Sequence, residues 1–305
     1  LQPPIMPRPD LNALGVQYRR IPVLVIGRDI YCDTRLILRK LEELYPDGRL
    51  GAKDPSGQAL EKLLEVWTTD GGVFARATQL IPPDTALTEN PMFVKDREDF
   101  GGRSFKKKDV FEVLPEAMAY IRQAFEFLET TLLADGRGWP LESARHKVTD
   151  SIRNTHEAIW PFDWMNGLKG ALDRDIISEV HFPRVFAWMS RFRKALSEAE
   201  SGTSKPTTLS GIQVLDRLGA AEFMEPNGKF DDGDALKLHP GQDVVVWPTD
   251  GGSNYKDSGK LVALSAQEVV VQRPTMDNRA DIRIHFPRTN FRIVPADSSV
   301  SGSRL

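Results

Sequence analysis

The spacing of apolar positions changes along the chain, and the changes divide it. Ile21-Pro22-Val23-Leu24-Val25-Ile26 is a short β-branched run, Gly27-Arg28-Asp29 has turn composition, and Ile30-Tyr31-Cys32 is extended again, which predicts a hairpin. Asp33-Thr34 then stands before Leu36, Ile37, Leu41 and Leu44, a helical stripe that Pro46 and Gly48 stop. Either Asp33 or Thr34 can accept hydrogen bonds from the first free amides of that helix. Leu60, Leu63, Leu64, Trp67 and Phe74 recur on one helical face, with Gly71-Gly72 expected to kink or loosen it. Residues 82–108 are polar and read as a long loop. Leu114, Met118, Ile121, Phe125, Leu128 and Leu132 then step by four and three, the stripe of a helix that must pack on a partner, ended by Gly136-Arg137-Gly138. An aromatic helix follows over 155–168. Another opens at Phe182-Pro183 and carries Phe186, Met189, Phe192 and Leu196 on one face.

Residues 197–210 are rich in Ser, Thr and Gly, a linker composition. After one short helical segment at 212–223 the period falls to two. Runs at 242–247, 259–264, 268–272, 282–286 and 291–294 predict five short strands separated by Pro, Gly, Asp and Asn, the pattern of a small β-barrel or sandwich. The string His-Phe-Pro-Arg occurs at 181–184 and again at 285–288, once opening a helix and once ending a strand, and is taken as coincidence.

Length and composition narrow the function classes. A chain of 305 residues suggests about two domains and permits a third small one. Lys+Arg 40 against Asp+Glu 43 leaves −3, without the basic excess that counterion-release binding to nucleic acid needs, which argues against nucleic acid as a partner. The single cysteine, Cys32, allows neither an intramolecular disulfide nor a thiolate zinc site and fits a reducing compartment. His146, His156, His181, His239 and His285 lack i,i+4 metal spacing, so no metal is expected. No apolar run reaches the roughly 18–20 residues of a membrane helix, which predicts a cytoplasmic protein without a membrane partner. The chain begins at Leu1 without Met and with prolines crowded into residues 3–9, like the middle of a fold.

The informative chemistry lies at residues 20–34. A proline entering a strand gives up an amide donor, and in its cis form it exposes a strand edge, so Val23 can offer its backbone to an extended peptide. About ten residues later an acid, a hydroxyl and free helix amides can hold an ammonium and a carboxylate together, which suits a γ-glutamyl group.

Tyr18-Arg19-Arg20-Ile21-Pro22-Val23-Leu24, with Asp29-Ile30-Tyr31-Cys32-Asp33-Thr34-Arg35-Leu36-Ile37, resembles the second half of the thioredoxin-like domain of glutathione S-transferases, fungal and bacterial members especially. The resemblance makes Pro22 the family's cis-proline, Val23 the residue whose backbone pairs with the cysteinyl unit of glutathione, and Asp33-Thr34 the pair that grips its γ-glutamyl end, with Arg20 in reach of its carboxylate. The helices over 57–196, including Phe-Pro-Arg-Val-Phe-Ala-Trp at 182–188, resemble the family's all-α C-terminal domain.

The resemblance implies an incomplete α/β thioredoxin-like portion at 1–50 and an all-α domain at 57–197; the strand pattern adds, after a linker at 198–210, a small SH3-like all-β barrel at 211–296 and a flexible tail at 297–305. It implies glutathione as co-substrate, a small hydrophobic electrophile bound against the helical domain, and a homodimer. The family's first strand and helix, which carry the residue acting on the thiolate, would lie before Leu1, so no catalytic residue is assigned; neither Tyr18 nor Tyr31 stands at that position. In the helical domain the family's capping box is reduced to Ser151-Ile152-Arg153-Asn154-Thr155, after a polar stretch at 142–150. The alternative is a non-catalytic scaffold that recruits a partner through the β-module.

Three further features carry weaker chemistry. Cys32 beside the site could form a mixed disulfide, although a cysteine in an apolar strand is usually an inert small hydrophobe. Lys106-Lys107-Lys108 could touch phosphate but reads as a solvated run. Trp247-Pro248-Thr249-Asp250-Gly251-Gly252, with Tyr255, Phe286, Arg288 and Phe291, could bind a peptide or nucleic acid, or fill a small core; Arg283, Arg288 and Arg292 are the local charge for a nucleic-acid adaptor.

Overall fold

Glycine at position 27 lets the first hairpin turn. Its φ of +60° lies in the left-handed region, and a Cβ there would sit 2.2 Å from the Glu222 carbonyl oxygen. Around it β1 (Val23–Ile26) and β2 (Asp29–Cys32) pair antiparallel, from Val23 opposite Cys32 to Ile26 opposite Asp29. The computed structural model describes residues 3, 5–48, 51–82, 84–85, 88–136, 156–225 and 228–297, the side chains of 156–158 excepted. Its contacts divide the chain into one unit of Leu1–Leu44, Lys95–Ser104 and Thr207–Leu305, and another of Tyr45–Val94 and Phe105–Pro206.

In the first unit the hairpin continues into the C-terminal strands β3 (Asp243–Pro248), β4 (Asp257–Leu264), β5 (Glu268–Pro274), β6 (Asp281–Pro287) and β7 (Phe291–Pro295). The sheet runs β1-β2-β6-β5-β4-β3-β7, with β2 and β6 parallel and every other pair antiparallel. The five predicted strands are present, but the SH3-like barrel expected of them is an open sheet. The reason is local to β6, which commits its outer edge to β2, Asp29 lying opposite Arg283 and Tyr31 opposite His285, rather than to a strand that would close the ring.

Residues 1–50 and 211–296, read from the sequence as separate domains, therefore share one sheet. They also share one core. Leu11, Leu14, Val16, Tyr18, Ile30 and Cys32 pack with Val244, Val246, Leu261, Val271, Ile284 and Phe286, and the Tyr18 ring lies 5.9 Å from that of Phe291. On the opposite face of β2, Tyr31 meets Leu36 and Ile37 from α2 (Thr34–Leu44). Strand alternation thus sends Ile30 and Cys32 one way and Tyr31 the other, and β2 is buried throughout. The short helices α1 (Pro9–Ala13) and α9 (Gly211–Gly219) also belong to this unit; Ser210 and Gln213 cap α9 reciprocally.

A buried carboxylate ties the N-terminal segment to β4. Asp257 accepts from the backbone N–H groups of Gln17 (2.7 Å) and Tyr18 (3.0 Å). Burial pushes its pKa up to about 6 from an ordinary 3.8, against those two donors. The native state then binds more protons than the unfolded chain between these values, so Asp257 stabilises fully below about pH 3.8, and that contribution is lost as pH rises to about 6. We expect roughly 3 kcal/mol of such decline, read by urea denaturation at pH 4 and 7 as the difference between wild type and Asp257→Asn. Equal pH slopes in the two proteins would refute the assignment.

The second unit is helical: α3 (Pro55–Thr69), α4 (Val73–Gln79), α6 (Lys107–Phe127) running into a wider turn at Leu128–Leu132, α7 (His156–Gly167) and α8 (Pro183–Ser201). The Gly71-Gly72 break falls between α3 and α4, as predicted. Ile121, Phe125, Leu128, Ile159, Phe162, Met165, Val185 and Trp188 form its core. Buried Glu129 caps α8 from a distance, one of its oxygens accepting from the amides of Arg184 and Val185, both at 3.0 Å. Residues 151–155, read as a reduced capping box, lie outside the described residues.

One expected loop is partly a helix. Within 82–108 the chain forms α5 (Pro91–Gly101), whose start Asn90 caps by accepting from the Met92 amide at 2.9 Å, with proline at the first helical position. The Asn90-Pro91 pair was the available signal; the helix lacks the apolar stripe that marks the others.

Candidate functional site

Pairing within the first hairpin brings the separated candidates together. Val23 stands opposite Cys32, so residues 20–23 lie beside Asp33 and Thr34 at the start of α2. β1 is an outer strand of the sheet, and one of its edges carries no strand among the described residues. The Ile21–Pro22 peptide is cis; Pro22 is exposed and Val23 half-buried.

Asp33 adopts a φ of +74°, which short polar side chains tolerate better than most, and its Oδ1 accepts from the Arg35 amide at 3.1 Å. Its Oδ2 faces Arg20 Nη1 at 3.7 Å. Burial raises the Asp33 pKa, while the Arg35 amide, Arg20 and Arg35 pull it down. Thr34 opens α2 and is exposed.

Arg20 is committed within the protein. Its Nη2 donates to Asp250 and to the Gly251 carbonyl (2.8 Å), and its guanidinium lies 5.9 Å from the Phe100 ring centroid. Asp250, 230 residues away, carried no sequence signal for this contact. Its loop is held down by close packing: the Gly252 amide donates to the Phe100 carbonyl at 2.9 Å, Gly252 has φ +75°, and a Cβ there would lie 2.8 Å from Arg19 Cδ. Arg19 itself pairs with Asp96 (2.8 Å) and Asp99 (2.6 Å).

The reactive side chains near this edge are withdrawn from solvent. Cys32 is fully buried, and burial pushes its thiol well above the usual range, so the inert reading holds and the mixed-disulfide reading does not. The Tyr18 ring is packed in the core. Tyr31 donates to Glu225 at 3.2 Å, and its pKa is raised by burial and then by Glu225.

A second polar cluster was not foreseen. His285 on β6 is buried between two carboxylates, Nε2 at 2.8 Å from Asp29 and Nδ1 at 2.6 Å from Glu268, with the Tyr31 ring centroid 4.4 Å away. Arg39 lies 3.6 Å from Glu268, and Lys40 pairs with Glu225. Of the arginines weighed for nucleic acid, Arg283 donates to the Glu225 carbonyl and Arg288 pairs with Asp234, which leaves Arg292 exposed. Lys107 pairs with Asp84, and Lys108 lies 3.8 Å from Glu112. Among the described residues no group of three or more His, Cys, Asp or Glu is placed to hold a metal ion, and no helix is long and apolar enough to cross a membrane.

Residues 1–50 match the family described as glutathione S-transferase, N-terminal domain, and residues 76–201 match a domain of unknown function (DUF7962). A crystal structure of a GST-like protein from Pseudomonas syringae is 21% identical, with a TM-score of 0.64 over 96% of this chain and 88% of that one. No curated protein matches. Residues 1–50 thus carry the glutathione S-transferase N-terminal domain match, and the chain shares the fold of that GST-like protein.

Proposed function

We propose that the chain is a cytoplasmic protein that binds glutathione along the outer edge of β1, with Val23 pairing to the cysteinyl backbone and Asp33 and Thr34 holding the γ-glutamyl end. The observation that carries this reading is the convergence of Pro22, Val23, Asp33 and Thr34 at one sheet edge beside a helix start. In the conjugation that follows, the bound thiol gives up its proton to solvent water, and the sulfur forms a bond to the electrophilic centre of a small hydrophobic acceptor as the bond to the leaving group breaks and that group departs with its electron pair. The helical unit by itself contains an apolar cavity of about 520 Å³ lined by Leu60, Leu64, Trp67, Ala124, Phe127 and Leu132, a size and lining suited to a small hydrophobic molecule. Calorimetric titration of glutathione into the purified chain tests the site: the double substitution Asp33→Ala, Thr34→Ala is expected to weaken binding at least tenfold, and unchanged binding would sink the assignment.

A second reading, a binding scaffold without turnover, draws support from the burial of Tyr18, Tyr31 and Cys32, which keeps those phenols and that thiol from a bound sulfur. Glutathione binding without conjugation of 1-chloro-2,4-dinitrobenzene would favour it.

A further inference from the structure

Both nitrogens of one buried ring face groups that only accept. His285 Nε2 lies 2.8 Å from Asp29 Oδ1 and Nδ1 lies 2.6 Å from Glu268 Oε1, and an ionised carboxylate has no hydrogen to give. Closing both contacts takes a proton on each nitrogen; a neutral imidazole, with one N–H, closes only one and turns a lone pair on the other acid. The two acids are not equally free to leave. Asp29 is fully buried, and its other oxygen accepts from the backbone amides of Met224 and Glu225. The Glu268 side chain is 18% exposed, and its second oxygen already faces Arg39 of α2 at 3.6 Å. Losing the ring costs Glu268 a hydrogen bond that water can replace, whereas the same loss strands a buried oxygen of Asp29. The charged or titratable groups around the ring are Asp29 and Tyr31 from β2, Arg39, Lys40 and Glu43 from α2, Glu225 from the segment before β3, Glu268 from β5 and Arg283 from β6. Lys40 is held by Glu43 and Glu225, so the link from α2 to the ring runs through Arg39 and Glu268.

We propose that His285 is a proton-operated latch: doubly protonated, it clasps Glu268 and through Arg39 ties α2 to the sheet, and with one proton lost it keeps its Nε2–H on Asp29 and releases Glu268 towards solvent. The proton leaves Nδ1 for water, on the side of the partly exposed Glu268. β2 stays joined to β6 in both states, because the retained hydrogen bond and the pairing of Asp29, Ile30 and Tyr31 with Arg283, Ile284 and His285 do not change. The first half of α2 also stays, held by Leu36 and Ile37 on Tyr31. What loosens is its last turn, beyond Arg39. Hydrogen bonds to the two acids outweigh the burial that opposes a charged ring, so the latch is closed at the ordinary 6.5 of histidine and opens above it. The device is independent of what the chain binds.

Two measurements on the full chain test the latch. Nitrogen NMR of the imidazoles follows both ring nitrogens from about pH 6 to about pH 9, His285 being recognised by its through-space contact with the Tyr31 ring. The ring is expected to titrate above 6.5, losing the Nδ1 proton and keeping the Nε2 proton. Over the same range, hydrogen exchange of the Lys40–Leu44 amides, corrected for its intrinsic rise with pH, is expected to quicken about tenfold, the scale of one charge-assisted hydrogen bond, while the amides of Ile30 and Ile284 keep their protection. In Glu268→Gln the side-chain amide can donate to a bare Nδ1, so the contact stays closed throughout and the quickening in α2 is expected to vanish. A merely structural Glu268 would leave α2 of that variant faster by the same factor at every pH, or still quickening as wild type does. Either result, unchanged α2 exchange in wild type, loss of the Nε2 proton in place of the Nδ1 proton, or a ring still doubly protonated at the upper limit overturns the proposal. The wild-type measurements need no variant to fold.

Discussion

Replacing His285 with alanine is expected to destabilise its unit by about 3–5 kcal/mol, the scale of breaking a buried charge pair on one side. The substitution leaves Asp29, fully buried, and Glu268, 18% exposed in its side chain, without the ring that separates and bridges them. It also removes the aromatic contact beneath Tyr31. Because His285 is on β6 and Asp29 on β2, the cluster joins the hairpin of the proposed site to the C-terminal strands. Chemical denaturation at pH 6 measures the effect, and a loss below about 1 kcal/mol would mean that the cluster contributes no more than an exposed pair.

The same cluster predicts a direction with pH. Burial works against a charged imidazole, but hydrogen bonds to Asp29 and Glu268 outweigh it and raise the His285 pKa above its ordinary 6.5. A raised native value means that the stabilisation is full below the unfolded pKa and lost as pH rises through the folded one. The other charged or titratable groups of the cluster are Tyr31, Arg39, Lys40, Glu225 and Arg283, from β2, α2, the segment before β3, and β6.

Local elements were legible because their causes are local. The Gly27 turn, the Asp33-Thr34 helix start, the Gly71-Gly72 break and Pro183 at the start of α8 each act within a few residues. The pairing of Asp29 with Arg283, from opposite ends of the chain, has no such cause: nothing in the composition of β6 distinguishes a strand that closes a barrel from one that joins a distant hairpin. The site divides the same way. Asp33 and Thr34 were readable from their place before a helix, whereas the partner of Arg20 comes from a loop whose aromatic and glycine residues suggested a different use. His285 was weighed only as a metal ligand, because its two carboxylate partners, on β2 and β5, cannot be found by spacing.

In the helical unit the largest expected loss is at Trp188, the biggest of its fully buried side chains. It sits on α8 within a core that includes Phe125, Ile159, Met165 and Met189, with the Phe162 ring centroid 6.5 Å away. Trp188→Ala removes the whole indole from a close-packed interior, and we expect a cost of about 3–5 kcal/mol. Among the described residues the indole Nε1–H finds no acceptor, so the ring is held by packing while its one polar group is a liability. Trp188→Phe therefore discards part of the packing together with an unmade hydrogen bond, and a loss of only about 1–2 kcal/mol is expected. Denaturation followed by helical circular dichroism compares the two. A phenylalanine variant as unstable as the alanine variant would show that the hydrogen-bonding group, not the apolar area, holds this position.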